Sequence, residues 1–515
     1  MVKFEGTILQ FGFGAVGKSF YEKLRYEVAF DEYKYFVVTK YDTEFEAFVS
    51  LGGMVNNFVV AEVVKENYQE IFGRYLKKGD LLIDFADTVG TKDICRWCAD
   101  NGIMYINTGE ADWPYRWYSI LEENLIKQEM KKEYKDIKQP IVLQHGNNPG
   151  LVSHFVKEAL EYIVETQFKP RGLAKLSKKR NNGKNIESLE YSKLKELVKQ
   201  GKFNELAKML GVRMIHVSDI DLQQIKDEYV DKKLYNTWCP ETFLFEMLSE
   251  STCNIGLHEK LEFNDKCNFA DRENGFLQFS DMAINKKCYS LYPDGVFKGY
   301  LVPHEETLTI ANGLEVKSTE GDETKVVYRP TVMFVYKPCD YAERYFSNTK
   351  VNEYPNPDPD KPQDIESPTE CIVHGYEYPK EYEIVYREKI TSGTEYVGAL
   401  ILGEHFDPVW VGNRIELSYL YKGNKASYWQ TPTVTPVAIS ALAAVCYMIS
   451  HKDNGGIYFP DDIKDYKYII KLAEKYISKT VYKTFSKEMV ESTLGIDLKS
   501  VQLEDLFEIG VGSLH

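Results

Sequence analysis

Residues 7–17 read TILQFGFGAVG, and this stretch decides the fold. Thr7–Phe11 reads as a buried strand that runs straight into Gly12-Phe13-Gly14-Ala15-Val16-Gly17, a G-x-G-x-x-G. Ala15–Tyr26 then shows helical spacing. Strand, glycine turn and helix N-terminus are the context in which this motif holds a dinucleotide. Gly12 permits the tight turn, Gly14 lets a pyrophosphate approach the backbone, and Gly17 lets the helix pack closely on the strand. Ala15 and Val16 lie in the first helical turn, where free N–H groups and the dipole favour an anion. A glycine-rich turn without ligand is the competing reading of the motif alone.

Working outward, Tyr35–Thr39, Leu81–Phe85 and Ile103–Asn107 read as further strands between helical stretches. That alternation marks βαβ units and a parallel sheet. It predicts an α/β, Rossmann-type dinucleotide domain over residues 1–145. The second strand ends VVTKYD. Asp42 is the candidate for the adenosine ribose, while Lys40 could instead meet a 2′-phosphate; the balance favours NAD over NADP.

Beyond residue 138 the strand Pro140–Gln144 leads into HGNNPG. Asn148 suits an N-cap and Pro149 the first helical position. Leu151, Val152, Phe155, Val156, Ala159 and Leu160 make the apolar face of the helix that follows. Met214 to about Leu420 is rich in β-branched and aromatic residues and reads as strands. The basic run 176–185 and the proline-rich acidic stretch 353–368 read as loops. From Thr433 the pattern returns to helix. The reading is a central α+β catalytic and dimerisation domain over 146–430, and C-terminal helices over 431–515 that pack back on the first domain.

The chain has 515 residues, a net charge of −15 and nine cysteines. Acidity disfavours a nucleic-acid partner, whose phosphates demand a positive face, and suits a cationic substrate. No run of about 20 apolar residues marks a membrane span. The start lacks the regions of a signal peptide, and nine is an odd number, so free thiols and a cytoplasmic location are expected. Cys95 and Cys98 are the one close pair, without a second pair or a nearby His at zinc spacing. No H-E-x-x-H occurs either, so no metal is expected.

HGNNPGLVSHFVKEAL at 145–160 resembles the HGxNPGxVSHFVKxAL block of the homospermidine synthases. NTW at 236–238 with Glu246 eight residues on, then EYVGALILG and NKASYWQ at 424–430, resemble further blocks of that family in order. The saccharopine-dehydrogenase-like reductases are more distant relatives. The resemblance implies a homodimeric enzyme that joins two putrescines, or spermidine and putrescine, into homospermidine. Ammonia, or diaminopropane, leaves, and NAD is recycled as hydride carrier. It also implies site residues: Asn148, Trp238, Glu246, Glu110, His304 and Asp87. Glu395 stands where the family has aspartate and Asp219 where it has glutamate, each changing reach by one methylene.

The chemistry is consistent with these residue types. A diamine needs negative charge at each end, which Glu110, Glu246, Glu395 and Asp219 offer. An indole such as Trp238 can hold an ammonium by cation–π attraction, worth about 0.5–2 kcal/mol. Hydride leaves only from a carbon beside a neutral amine, so a base must first take the ammonium proton. Glu246 is the choice, because a carboxylate buried beside an aromatic wall has its pKa raised toward working pH. Asn148 can orient the reacting nitrogen without adding charge. Each has a plainer reading: Asn148 as a cap, Trp238 as core, Glu246 as the outer face of an amphipathic helix, His304 in a local hydrogen bond. Two other functions stay open. A saccharopine- or carboxyspermidine-type dehydrogenase would need an arginine for a carboxylate, and Arg116 is near Glu110 in sequence. A non-catalytic NAD-sensing scaffold could keep the fold without the chemistry.

Overall fold

The computed structural model describes residues 1–86, 89–113, 120–169, 190–260, 267–271, 274–321, 323–348, 381–421 and 427–507. Asp87, Arg116, and the stretches 176–185 and 353–368 lie outside them.

The first sheet has seven parallel strands. Their order is Gly456–Tyr458, Pro140–Val142, Met104–Asn107, Leu81–Asp84, Ile8–Phe11, Tyr35–Thr39 and Phe58–Val60. Ile8–Phe11, Leu81–Asp84 and Met104–Asn107 are buried at every position, as befits strands covered on both faces. Their carboxyl ends open on one edge, where ligands of such sheets bind.

The second sheet has ten strands. At its centre Val212–Asp221 runs parallel to Thr331–Lys337 and antiparallel to Thr394–Gly403. The register sets Asp219 opposite Tyr336 on one side and Val397 on the other, and sets Asp221 opposite Glu395. Side chains of one strand alternate between faces, so Asp219, Asp221, Tyr336 and Glu395 share a face. Short ribbons pair Lys233–Asn236 with Glu381–Ile384 and Gln224–Ile225 with Ile390–Ser392.

The segment from 431 is not helices alone. Its helix Val434–Ser450 is buried nearly all round and packs on Ala15–Glu27. Gly456–Tyr458 then adds an edge strand to the first sheet, and Thr480–Thr484 pairs with Val409–Glu416 of the second. Three residues, GIY, are too few for a period-2 pattern to stand out. Among the described residues no helix is long and apolar enough to cross a membrane.

The helix after HGNNPG begins at Leu151, with Gly150 as its N-cap. Asn148 is therefore not a cap. The loop closes on itself through Gly146 N–H to Pro149 O (2.8 Å) and Leu151 N–H to Gly146 O (3.0 Å). Gly150 has φ +135, and a Cβ there would lie 1.8 Å from Gly146 O, so only glycine permits this closure. The turn spends two residues that a direct helix start would have used, and it frees the Asn148 side chain.

Candidate active site

At the dinucleotide end each motif glycine has a distinct environment. Gly12 has φ +85, and a Cβ would meet the backbone of Phe85 at 2.9 Å. At Gly17 a Cβ would meet Gly12 O at 2.7 Å. At Gly14 nothing lies within 4 Å. Two glycines thus serve packing, and the third borders open space at the start of Ala15–Glu27. Gly14, the N-cap there, supplies no side-chain cap, which leaves first-turn N–H groups at Ala15, Val16 and Gly17 for an anion. Asp42 is exposed and opens the short turn Asp42–Glu44. Lys40 is paired with Glu62 at 2.7 Å. Sequence reading missed Lys18: it is buried, ion-paired with Glu44, and donates to the Tyr428 hydroxyl at 2.7 Å.

The neighbouring strand ends carry buried acids. Asp84 accepts from Tyr105 Oη–H (2.9 Å) and from Ala86 N–H (2.9 Å). Glu110 follows Met104–Asn107 in a loop held by Asn107 Nδ2–H donating to Gly109 O at 2.9 Å. Its Oε1 is buried and meets no hydrogen-bond partner among the described residues. Burial pushes the Glu110 carboxyl up to about 7, against the attraction of Lys127 and with the repulsion of Glu305. Glu123 is also buried, and burial with the neighbouring Glu305 and Glu110 drives it well above the usual carboxylate range.

The second sheet supplies the opposite wall. Asn148 Nδ2–H donates to Asp219 Oδ2 at 3.0 Å, joining the HGNNPG loop to the strand Val212–Asp221. Burial, then Asp221, push Asp219 up to about 7. Burial and the two aspartates raise Glu395 well above the usual carboxylate range. Glu395 and Asp219 are within hydrogen-bonding reach, and their contact raises Glu395 while lowering Asp219. Asp221 is saturated by Gln223 and by the Thr237 hydroxyl at 2.7 Å. Trp238 Nε1–H donates to Tyr336 Oη at 3.0 Å, and its ring meets Phe243 edge-on.

Glu246 lies 3.8 Å from His304 Nε2, its side chain 17 % exposed. Burial pushes Glu246 up to about 8; the His304 charge opposes this, and Glu305, Glu306 and Asp219 add to it. His304 stacks on Phe334 with ring centroids 4.1 Å apart, and its Nδ1 is bonded to the buried Glu306. Burial alone would lower this imidazole, but Glu306, Glu305 and Glu246 raise it to about 10. His304, Glu305 and Glu306 bring possible ligand atoms within 4.8 Å of one another; His304 Nδ1 is taken up by one Glu306 oxygen, while Glu306 Oε1 is buried without a hydrogen-bond partner among the described residues.

The fold thus brings Asn148, Asp219 and Glu395 into one chain and Glu246 and His304 into another, while Glu305 acts on both Glu110 and Glu246. Glu123, Lys127, Asp221, Glu305, Glu306 and Tyr336 escaped the sequence reading. Weak signals existed: Asp221 is two residues from Asp219 on one strand, and Glu305 and Glu306 follow His304. A cleft of about 890 Å³ is lined by Lys127, Lys131, Arg329, Phe459 and Asp461 rather than by this cluster, and shares only Lys127 with it.

Residues 8–139 match the family model of the saccharopine dehydrogenase NADP binding domain. The homospermidine synthase of Mesorhizobium japonicum is 24% identical over 490 residues, 92% of this chain and 89% of that protein. The homospermidine synthase of Blastochloris viridis is 22% identical, covering 93% and 91%. Among solved structures, the homospermidine synthase of Legionella pneumophila in complex with NAD superposes with a TM-score of 0.76 at 21% identity, covering 99% of both chains. Apo saccharopine dehydrogenase (L-Glu forming) of Saccharomyces cerevisiae gives 0.51 at 9% identity, over 93% and 100%. The chain is therefore similar to homospermidine synthases over more than nine-tenths of its length, and its residues 8–139 to the dinucleotide domain of the saccharopine dehydrogenases.

Proposed function

We propose that this chain is an NAD-dependent homospermidine synthase. It joins two putrescines, or spermidine and putrescine, into homospermidine, with ammonia or diaminopropane released. The observation that supports this best is the set of buried acids gathered at the strand ends of the first sheet and around the end of Val212–Asp221, tied together by the Asn148–Asp219 bond. A buried carboxylate without a counter-ion is costly, and a cationic amine supplies that counter-ion.

The Gly14 cradle, with the first-turn N–H groups of Ala15, Val16 and Gly17, would hold NAD, which would supply a reversible hydride acceptor. The chain does the rest. Glu110 and Glu246 take one ammonium end, and Asp219 with Glu395 the other. The Trp238 face lines the apolar stem between them. Glu246 accepts the ammonium proton so that the amine carbon can be oxidised to an imine. A second amine adds to that imine and displaces ammonia, and the new imine is reduced. His304, kept cationic by Glu306, holds a positive charge beside Glu246 and favours its ionised form. Asn148, fixed on Asp219, presents its amide oxygen toward the reacting nitrogen. Asp42 remains the proposed ribose contact and Asp87 a further acid of the first domain.

A cytoplasmic homodimer divided at 145 and 430, as the sequence suggests, is part of this proposal. The decisive assay is mass spectrometry of products from putrescine with catalytic NAD. Homospermidine with equimolar ammonia and no accumulating NADH supports the synthase. NADH changing one-for-one with substrate would point instead to reductive amination of a saccharopine or carboxyspermidine type.

A further inference from the structure

We propose that Glu62 makes the dinucleotide site selective against a 2′-phosphate, by holding Lys40, the cation that would otherwise meet that group. The proposal rests on the dinucleotide reading of the first domain and not on the amine chemistry.

The register of three strands sets the two residues side by side. Tyr35–Thr39 lies next to Ile8–Phe11 with Phe11 opposite Val38, and Gly12 N–H donates to Val38 O at 2.9 Å. The glycine turn and the end of Tyr35–Thr39 therefore share one corner of the sheet, where the adenosine ribose of a dinucleotide belongs. Phe58–Val60 runs parallel on the outer side with Thr39 opposite Val60, and Ala61 N–H donates to Thr39 O at 2.9 Å. Lys40 directly follows one strand end and Glu62 lies just past the other. Lys40 Nζ meets Glu62 Oε1 at 2.7 Å. The two side chains are 45% and 59% exposed, so the pair adds little to the stability of the fold. Its place at this corner gives it a different use.

The other charges of the corner leave no spare cation in view. Asp42 is exposed and opens the turn Asp42–Glu44. Glu44 is ion-paired with the buried Lys18. Lys18 Nζ also donates to Tyr428 Oη at 2.7 Å, and stands 4.9 Å from that ring and 5.5 Å from the ring of Trp429. It is thus committed to packing residues 428 and 429 on the helix Ala15–Glu27. Lys18 and Lys40 are each already matched by a carboxylate. A ribose 2′-hydroxyl needs only an acceptor, and Asp42 offers one. A 2′-phosphate carries a charge of about −1.5 to −2 at neutral pH and calls for a cation. Here it would have to take Lys40 from Glu62 while facing Asp42. Glu62 is a positioning residue, since it acts on the cofactor through Lys40.

The test is calorimetry of the full-length protein with NAD and with NADP. Glu62→Gln keeps the side-chain length and releases Lys40 from its carboxylate. NADP should then bind about tenfold more tightly than to wild type, with NAD within about twofold, as expected of one charge partly screened by water. Adding Lys40→Gln to that variant should return NADP to weak binding, because the gain comes from the lysine and not from the lost acid alone. Both positions are exposed, so each variant should melt like wild type. An unchanged ratio of the two affinities in Glu62→Gln, or a gain that survives Lys40→Gln, overturns the proposal. Wild type that binds NADP as tightly as NAD overturns it too. A ratio that shifts as expected in a protein making no homospermidine leaves Glu62 in this role and sinks the synthase reading instead.

Discussion

Single residues carry the proton chemistry, and Glu246 makes the sharpest case. Its carboxyl is raised from 4.5 to about 8. As the base it must be ionised, so kcat/KM should climb with pH through about 8. In His304→Gln the opposing cation is gone and that limb should move to higher pH; a limb that stays in place would remove His304 from this role. Glu246→Gln should lower turnover at least about 100-fold, in the range of lost general-base catalysis, with NAD still bound in a fluorescence titration. Stability should move the other way. Between pH 4.5 and 8 the folded protein holds a proton that the unfolded chain has released, so this group destabilises the fold as pH rises through that window. Glu246→Gln should therefore melt higher than wild type at pH 8 and not at pH 5.

At the scale of elements, two short turns place the chemistry, and their glycines predict opposite phenotypes. Gly14 borders open space, so Gly14→Ala should melt like wild type yet bind NAD at least about tenfold more weakly, because the methyl enters the path of the pyrophosphate. Gly150 has no such room, with φ +135 and Gly146 O 1.8 Å from a Cβ. Gly150→Ala should cost about 1–3 kcal/mol or more. It should also dislodge Asn148 from Asp219, so that turnover falls while NAD affinity measured by calorimetry stays normal. Unaltered turnover in a stably folded Gly150→Ala would separate the loop geometry from catalysis.

The whole molecule is held by a chain that visits both sheets late. A buried histidine pair marks that junction: His145 Nε2 and His154 Nε2 are 2.9 Å apart, and His145 Nδ1 meets Ser440 Oγ of the C-terminal helix at 3.2 Å. Burial lowers His145 to about 4, and burial with the neighbouring His145 and Lys157 lowers His154 well below the usual imidazole range. Both are neutral when folded, while the unfolded chain gains protons below pH 6.5. The stability they contribute is complete above 6.5 and is lost as pH falls through about 4, on the order of 3 kcal/mol for His145. Melting temperature should drop steeply from pH 6.5 to 4, and less steeply in His154→Gln; equal slopes would refute the assignment. Ending the chain at Gly455 removes Gly456–Tyr458 and Thr480–Thr484 and bares an edge of each sheet. Such a truncation should aggregate, as size-exclusion chromatography would show.

The sequence by itself determined the dinucleotide domain. Gly12, Gly14 and Gly17 act over a few residues, and five of the seven parallel strands are apolar enough to be legible one by one, Phe58–Val60 and Gly456–Tyr458 being too short. It also singled out Asn148, Trp238, Glu246, His304, Glu110, Asp219 and Glu395 through their local blocks. Tertiary structure alone decided that Asn148 bonds Asp219 instead of capping a helix, because a loop closed through Gly146 and Gly150 depends on contacts that spacing does not encode. It alone set Glu62 against Lys40, and returned GIY to the first sheet. Local propensity acts along the chain, whereas the ionisation of an acid depends on which charges the fold sets around it in space.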